Sequence, residues 1–300
     1  MTNAHIVSGT TLWQWRLEAR RQAKVAEVPE AEVDWLLQQM SDLDRLSLRL
    51  ELFKDQAEVR LKRSLPELSQ LWQQRLEARI PMQYLAGVAP WRRFSLTVSP
   101  AVLIPRPETE ILLDLAVMAA SQCGLELSQG HWADLGTGSG AIALGLAEVF
   151  PQATIHAVDA SAAALAIAQH NAHQFGFFNR IRFYQGSWFE PLITLQGNLS
   201  GMVSNPPYIP SSMIPNLQPE VALHEPHIAL DGGTDGLDCI RHLVACAPDY
   251  LKPGGIWLIE MMAGQAEAVA EQLQHQGSYR DIEIYADLAG IDRFALAFRA

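Results

Sequence analysis

Apolar residues recur at helical spacing through the first 80 residues of the chain. This spacing is clearest in residues 11–25, 30–40 and 68–76, and polar or proline-containing stretches separate these segments. Ser41 and Asp44 stand three residues apart before Leu46 and Leu48. That arrangement is typical of a capping box and predicts another helix start. The pattern predicts a small bundle of short amphipathic helices.

Between residues 84 and 103 the pattern changes to alternation with a period of two. Phe94, Leu96 and Val98 alternate with polar positions, and glycine and proline residues punctuate the run. This pattern predicts a β-hairpin that acts as a linker. Residues 104–110 then place acidic residues directly before a long apolar segment, which predicts the first turn of a helix.

Beyond residue 130, strand-length apolar runs alternate with helical patterns. The predicted strands are residues 131–134, 153–159, 181–185, 202–204 and 256–259, and predicted helices begin at Ala141, at Ala162 and near Ile240. This rhythm predicts an α/β fold with a parallel sheet that binds ligands at the carboxyl ends of its strands. We therefore expect a helical domain at 1–82, a hairpin linker at 83–104 and an α/β catalytic domain at 105–300. The helical domain is interpreted as a substrate-docking domain, with a stabilising appendage as the alternative.

Composition places the chain among ordinary globular proteins. Of its 300 residues, 49% are hydrophobic and 18% are charged. No apolar run reaches the ~18 residues of a membrane span, and residues 1–5 lack the pattern of a secretory signal. Cys123, Cys239 and Cys246 form no CxxC pair, as expected for reduced thiols. The sequence therefore predicts a cytoplasmic protein with no membrane association.

The net charge of −11 lies in the second part of the chain. Residues 1–86 carry 12 Lys and Arg against 12 Asp and Glu, whereas residues 87–300 carry 10 against 21. An acidic catalytic part suits a cationic ligand and is a poor partner for nucleic acid phosphates.

A glycine-rich turn between a strand and a helix is the first candidate for chemistry. Gly136, Gly138 and Ala141 also fit the G-x-G-x-x-A fingerprint of dinucleotide sites, so the turn alone leaves several uses open. Asp159 ends the next strand, where an acid can bind two ribose hydroxyls, as it would in a dehydrogenase. Asp134 stands two residues before the first glycine and fits a cationic amino-acid group.

The run Asn205-Pro206-Pro207-Tyr208 is the second candidate, and it follows an apolar strand pattern. Two prolines lack N–H groups and fix their own φ angles, so the carbonyls of Asn205 and Pro206 have no local donor. A planar amide or amino group of a substrate could supply the missing donors, and Tyr208 could stack on its face. A lone Pro-Pro pair is more simply a stiff turn. The glycine-rich turn upstream favours a site that methylates a poor nitrogen nucleophile.

Together these motifs resemble class I S-adenosylmethionine-dependent methyltransferases. More narrowly, they resemble the bacterial protein-(glutamine-N5) methyltransferases that modify peptide-chain release factors. The resemblance rests on residues 81–87, 102–110, 136–140, 205–208 and 225–237. It implies a Rossmann-like sheet, S-adenosylmethionine as methyl donor, and a glutamine in the Gly-Gly-Gln loop of a release factor as acceptor.

The resemblance also implies the site residues. The turn would wrap the methionine part of the cofactor, Asp159 would hold the ribose, Trp188 would lie by the adenine, and residues 205–208 would hold the glutamine. The implied cofactor-binding residues are Asp134, Gly136, Thr137, Gly138, Ser139, Gly140, Asp159, Trp188 and Asn205. The implied catalytic residues are Asn205, Pro206, Pro207 and Tyr208. The chain departs from the family pattern at Ser187, where an acid is common, and at Met261-Met262, where a glycine usually follows Glu260 closely. No role is assigned to either departure.

Three other interpretations stay open. An adenine-N6 methyltransferase would flip a DNA or RNA base into the pocket, but the acidic catalytic half argues against it. Glutamine methylation of a ribosomal protein is a second alternative. A helical adaptor with an inactive nucleotide fold is the third, and the presence of both aspartates and the Asn-Pro-Pro-Tyr run argues against it. The pairs His170/His173 and His224/His227 lack further ligands, so we interpret them as solvated faces and expect no metal.

Overall fold

The computed structural model of the chain describes residues 5–123 and 125–300, without the side chains of residues 123, 125 and 126. The helices are α1 (Gly9–Val25), α2 (Ala31–Met40), α3 (Arg45–Arg49), α4 (Leu65–Glu77), α5 (Met82–Ala86), α6 (Ile111–Cys123), α7 (Leu125–Gln129), α8 (Ala141–Val149), α9 (Ala162–Gln174), α10 (Pro219–Ala222), α11 (Asp238–Tyr250) and α12 (Ala266–Gln276). The strands are β1 (His5–Val7), β2 (Val59–Leu61), β3 (Val88–Trp91), β4 (Phe94–Thr97), β5 (His131–Leu135), β6 (Thr154–Asp159), β7 (Ile181–Gln185), β8 (Leu199–Ser204), β9 (Leu251–Glu260), β10 (Tyr279–Ala286) and β11 (Asp292–Arg299). Short 3-10 segments lie at Pro107–Glu110, Phe178–Arg180, Glu190–Leu195, Ser211–Asn216 and His227–Ala229.

The described chain divides into two compact units. The first contains the residues up to Gly87 together with Pro219–His224, and the second contains Val88–Gln218 and Glu225–Ala300. Among the described residues, no helix is long and apolar enough to span a membrane.

A seven-stranded sheet forms the centre of the second unit. Its strand order is β10-β11-β9-β8-β5-β6-β7. Neighbouring strands from β9 to β7 are parallel, whereas β11 pairs antiparallel with both β9 and β10. This is the predicted Rossmann-like sheet. Strands β10 and β11 and helix α12 were not among the predicted elements.

Both faces of this sheet are buried against helices. In β9, Trp257 belongs to the apolar cluster on one face and Leu258 to the cluster on the other. Trp132 and Ala133 divide between the faces in the same way in β5. Burial on both sides explains why these strands read as continuous apolar runs rather than as polar–apolar alternation.

The first unit is a helical bundle with a small two-stranded sheet, β1 with β2, which the sequence did not predict. Leu12, Leu36 and Trp72 lie in its apolar core. Arg75 is also buried, and it donates hydrogen bonds to Glu32 and, at 2.7 Å, to Glu220. A segment from the second half of the sequence therefore completes this unit.

The predicted capping box at Ser41 and Asp44 is wrong. Ser41 donates its hydroxyl to the carbonyl of Leu37 in the last turn of α2. Asp44 is itself the N-cap of α3 and accepts from the Ser47 N–H at 2.6 Å. A serine four residues after a free helix carbonyl satisfies that carbonyl instead of starting a new helix.

Strands β3 and β4 form the predicted hairpin, with Val88 opposite Thr97, and both strands lie in the second unit. His224 is half-buried, and its Nε2 lies 2.7 Å from the main-chain oxygen of Ala78 within the first unit. Cys239 and Cys246 are free thiols. The prediction of a reduced thiol at Cys123 and the prediction that residues 1–5 are no secretory signal concern atoms outside the described part of the chain, except for His5.

Candidate active site

A cavity of about 660 Å³ lies at the carboxyl ends of β5, β6 and β8 in the second unit. Its volume falls in the usual range of small-molecule sites. The predicted site residues that line it are Gly136, Gly138, Asp159, Trp188, Asn205 and Pro207. Parallel strands bring these residues together because their carboxyl ends meet at one edge of the sheet.

The glycine-rich turn is held in shape by its own hydrogen bonds. The N–H groups of Gly136 and Thr137 both donate to the carbonyl of Val158 at 2.9 Å. Gly136, Gly138 and Gly140 all have positive φ angles, which side chains with a Cβ disfavour. Two of the amides therefore face the sheet, and the glycines give a ligand space for close approach.

Asp134 lies beneath this turn and is fully buried. Its Oδ2 accepts from the Thr137 hydroxyl at 2.6 Å and from the Ala143 N–H at 2.9 Å. These bonds tie the turn to the first residues of α8. Burial, assisted by the charge of Asp159, raises the pKa of Asp134 to about 7. Its Oδ1 is buried and has no hydrogen-bond partner among the described residues, as expected of an atom that a ligand's donor would complete.

Asp159 is half-buried and points one edge of its carboxylate at the turn. Its Oδ2 accepts from the Gly138 N–H and its Oδ1 from the Ser161 N–H, each at 2.8 Å. Each oxygen of a carboxylate can accept two hydrogen bonds, so both keep capacity for a ligand hydroxyl. Burial raises the pKa of Asp159 despite the two backbone donors.

Trp188 lies against the turn from the other side of the cavity. A Cβ added to Gly136 would lie 3.4 Å from the Trp188 ring, so a larger residue at this position would contact the ring. Trp188 has a φ of 48°, a conformation that is strained for a bulky residue. Ser187, where the family pattern often has an acid, also lines the cavity.

The Asn-Pro-Pro-Tyr run follows β8 and presents only part of itself to the cavity. Asn205 and Pro207 line it, Pro206 is buried, and Tyr208 is half-buried with its hydroxyl on Glu260. Within residues 5–123 and 125–300, no donor reaches the main-chain oxygen of Pro206 or Oδ1 of Asn205. Neither acceptor has a partner among these residues, and Asn205 lines the cavity.

A network of polar side chains, which the sequence pattern did not predict, lies behind this run. Asn205 Nδ2 donates to the Thr109 hydroxyl at 3.1 Å, and Thr109 donates to Glu260 Oε2 at 2.7 Å. Tyr208 donates to Glu260 Oε1 at 3.2 Å. Thr109 and Glu260 are both buried. The sequence contains one feature that could have predicted a role for Glu260: like Asp159, it is an acid at the end of an apolar strand.

The glycine-rich segment at 231–237 is bonded to the same run. The Ile209 N–H donates to Leu230, and the Gly232 N–H donates back to Ile209, each close to 3 Å. Gly236 has a φ of 79°, and a Cβ there would lie 2.2 Å from the Tyr208 carbonyl oxygen. Only glycine allows this approach.

Gln265, which follows the loop after β9, also forms hydrogen bonds to the backbone of this run. Its Nε2 donates to the Tyr208 carbonyl at 3.0 Å, while its Oε1 accepts from the Met262 N–H at 2.9 Å. The Met261-Met262 loop, which departs from the family pattern, thereby holds the Asn-Pro-Pro-Tyr backbone. Arg106 makes a further contact nearby, donating to both carboxylate oxygens of Glu225 at 2.8 Å.

The remaining predicted site residues lie behind the cavity wall. Thr137 and Ser139 are buried, and the Ser139 carbonyl accepts from Asn171 Nδ2. Gly140 packs against Ala168 of α9. No cluster of three or more metal-ligating side chains is found in the described part of the chain.

Comparison with solved structures supports the fold. The catalytic domain of hMettl16, solved in complex with MAT2A 3′UTR hairpin 6, matches with a TM-score of 0.55 and covers 88% of each chain. The sequence identity is 13%, so this likeness concerns the fold alone.

Comparison of sequences identifies the family. A family model described as "Methyltransferase domain" matches residues 128–283. The chain is 50% identical to the release factor glutamine methyltransferase of Synechocystis sp. over 295 residues, 98% of both chains. It is 49% identical to that of Thermosynechococcus vestitus, covering 97% of this chain and 99% of the relative, and 38% identical to that of Neisseria gonorrhoeae, covering 91% and 94%. With site geometry and near full-length similarity in agreement, the chain belongs to the release factor glutamine methyltransferase family.

Proposed function

We propose that this enzyme transfers a methyl group from S-adenosylmethionine to the side-chain amide nitrogen (N5) of a glutamine in a peptide-chain release factor. The acceptor we propose is the glutamine of the Gly-Gly-Gln motif. One observation carries the proposal: Asn205 and Pro207 line the same cavity as Gly136 and Asp159. Amide recognition and methyl-donor binding can therefore occur side by side.

The cavity residues fit the donor. Asp159 would accept the two ribose hydroxyls, and the Trp188 ring would lie by the adenine. The glycines of the turn leave room for the methionine part, and the unpartnered Oδ1 of Asp134 would take a donor of its amino group. Thr137, Ser139 and Gly140 would act by shaping the turn. When bound, S-adenosylmethionine supplies an electrophilic methyl group on a positively charged sulfur.

The glutamine amide nitrogen is a poor nucleophile because its lone pair is delocalised into the carbonyl. Asn205 Oδ1 and the Pro206 carbonyl would each accept one of its N–H bonds, which fixes the direction of the lone pair. Such positioning and fixed dipoles can account for most of the rate gain. No general base is required, because an N-protonated amide is strongly acidic and releases its proton to water. Tyr208 would pack on the face of the amide, and Pro207 would stiffen the run.

A protein substrate needs more contacts than one glutamine can make. The cavity accepts a single side chain beside the donor, whereas stable protein interfaces bury ~800 Å² on each partner. We assign the additional contacts to the first unit, which contains the proposed docking domain at 1–82. Leu46 and Leu50 lie one helical turn apart there, and their exposed fractions are 58% and 55%. We propose that these leucines contact the release factor.

The acidic charge of residues 87–300 supports a protein substrate rather than direct contact with nucleic acid. Release factors act on the ribosome, so we place the reaction in the cytoplasm.

The deciding experiment offers the full-length enzyme and methyl-labelled S-adenosylmethionine to several substrates in parallel. These are a release factor, the same factor with its Gly-Gly-Gln glutamine replaced, ribosomal proteins, duplex DNA and structured RNA. We expect label on the intact release factor alone. Asn205→Ala should lower that labelling ~10²-fold, as for loss of one oriented polar group. Preferential labelling of nucleic acid, or of a ribosomal protein, would refute the proposal.

A further inference from the structure

We propose that Thr109 and Glu260 are positioning residues, which hold the Asn205 side chain with its oxygen towards the substrate amide. The inference rests on the function proposed above and assigns a role to two buried side chains that the sequence reading left without one. The question is whether Oδ1 or Nδ2 of Asn205 faces the substrate amide.

The hydrogen bonds fix the orientation of Asn205. An ionised carboxylate can only accept, so the single proton of the Thr109 hydroxyl points at Glu260 Oε2 over 2.7 Å. The Thr109 oxygen then presents only lone pairs to Asn205. Those lone pairs require a donor, so Asn205 turns Nδ2 to Thr109 at 3.1 Å. Its Oδ1 is left for the substrate.

A flipped Asn205 would defeat catalysis. With Nδ2 towards the substrate, a donor would face the N–H groups of the glutamine amide, and neither could bond the other. The energy of a buried donor facing a donor is unfavourable, because both lose water without gaining a partner. The chain of bonds from Glu260 excludes this arrangement.

The other carboxylate oxygen of Glu260 anchors the end of the same run. Tyr208 donates its hydroxyl to Oε1 at 3.2 Å. The charged groups that act on Glu260 are Arg293, which pairs with Asp287 at 2.8 Å, and Glu108. One carboxylate therefore orients both the first and the last residue of the Asn-Pro-Pro-Tyr run.

The arrangement depends on the ionisation of Glu260. Burial is the largest cause and raises its pKa to about 7, with Glu108 adding to the rise. Bonds from Thr109 and Tyr208 and the charge of Arg293 act the other way. Below that pH the protonated carboxyl can donate to Thr109, whose hydroxyl is then free to donate to Asn205. The amide would flip, so turnover should fall as pH decreases through about 7.

The test compares Thr109→Val with Thr109→Ser in the full-length enzyme. Valine keeps the shape of threonine but removes the hydroxyl, so kcat on a release factor should fall 10- to 100-fold. Affinity for S-adenosylmethionine, measured by calorimetry, should change less than threefold. Serine keeps the hydroxyl and should restore most of kcat. Thr154→Val, at the opposite end of β6 from Asp159, controls for the loss of a threonine hydroxyl elsewhere in the second unit.

The pH profile separates positioning from mere destabilisation. Wild-type kcat should decline on the acid side with a midpoint near 7, and this decline should flatten in Thr109→Val and in Glu260→Gln. Asp134 also has a pKa raised to about 7, and its contribution would persist in both variants. Wild-type kcat and an unchanged profile in Thr109→Val would overturn the inference. If the wild-type enzyme labels no glutamine at all, the proposed function fails instead.

Discussion

Three acidic side chains, Asp134, Asp159 and Glu260, stand at the carboxyl ends of strands β5, β6 and β9, and burial raises the pKa of each. Each acid accepts hydrogen bonds that shape a neighbouring loop. Asp134 and Asp159 hold the glycine-rich turn, and Glu260 holds the Asn-Pro-Pro-Tyr run through Thr109 and Tyr208. Buried acids with raised pKa values are typical of functional sites, because their desolvation is tolerated only where it serves a purpose.

At this scale we predict that Asp159→Ala weakens S-adenosylmethionine binding at least tenfold. The carboxylate would lose two bonds to ribose hydroxyls, and charge-assisted hydrogen bonds are worth ~1.5–3 kcal/mol each. Calorimetric titration of the folded variant measures the change. Asp44→Ala is the matched control, since Asp44 also accepts a backbone N–H but caps a helix in the first unit. It should lower stability by ~1 kcal/mol and leave affinity intact. Equal affinities for wild type and Asp159→Ala would remove Asp159 from the site.

At the scale of elements, the loops after β8 and β9 and the segment 231–237 form one hydrogen-bonded assembly. Gly232 bonds to Ile209, and Gln265 bonds to the carbonyls of Tyr208 and Gly236. These loops are far apart in sequence, but parallel strands bring their starting points together. The segment at 231–237 therefore supports the Asn-Pro-Pro-Tyr run, and the close backbone approach explains its glycine at Gly236.

We predict that Gly236→Ala lowers kcat at least tenfold while the enzyme remains folded. The new methyl group would lie 2.2 Å from the Tyr208 carbonyl oxygen and would displace the run. Gly254→Ala is the matched control, because Gly254 has a similar φ of 75° but open space around its Cα. Both variants carry the backbone strain of ~1 kcal/mol, which thermal unfolding measures. If both variants lose the same activity, contact with Tyr208 is not the reason for Gly236.

At the scale of the whole molecule, the two units differ in charge and in content. Residues 1–86 are balanced in charge, and the acidic excess lies in residues 87–300. The buried arginines of the first unit, Arg16 and Arg75, each pair with two carboxylates, so the bundle is held by ion pairs as well as by its apolar core. Because Arg75 pairs with Glu220, deletion of the first unit would also leave residues 219–224 without their partners.

For that reason we test docking with surface changes in the full-length chain. Leu46→Asp and Leu50→Asp should each raise KM for an intact release factor five- to tenfold, because a charge would replace an apolar contact. Activity on a short Gly-Gly-Gln peptide should stay the same, since the peptide reaches only the cavity. Leu288→Asp, at a position 99% exposed in the second unit, is the control. An unchanged KM for both leucine variants would place the docking surface elsewhere.

Much of the fold follows from local sequence. Runs of apolar residues predicted β5, β6, β7, β8 and β9, and the helix starts at Ala141 and Ala162 agree with the structure. Strands β10 and β11 were not predicted. Strand β11 inserts antiparallel between β9 and β10, and this position depends on pairing between segments that are distant in sequence. The sheet of β1 and β2 was not predicted because each strand has only three residues, too few to show an alternating pattern.

Local sequence patterns were enough to identify the motifs that adjacent residues form. The glycine-rich turn, the acid after the next strand and the proline-stiffened run each depend on neighbours within a few positions, so their spacing was sufficient to identify them. The contacts that support these motifs became visible only in the folded chain. Thr109, Glu260 and Gln265 act on Asn205 and Tyr208 across 52 to 96 positions of the chain. A hydrogen bond between distant residues exists only once the sheet has placed both strand ends at one edge, and no local pattern records it.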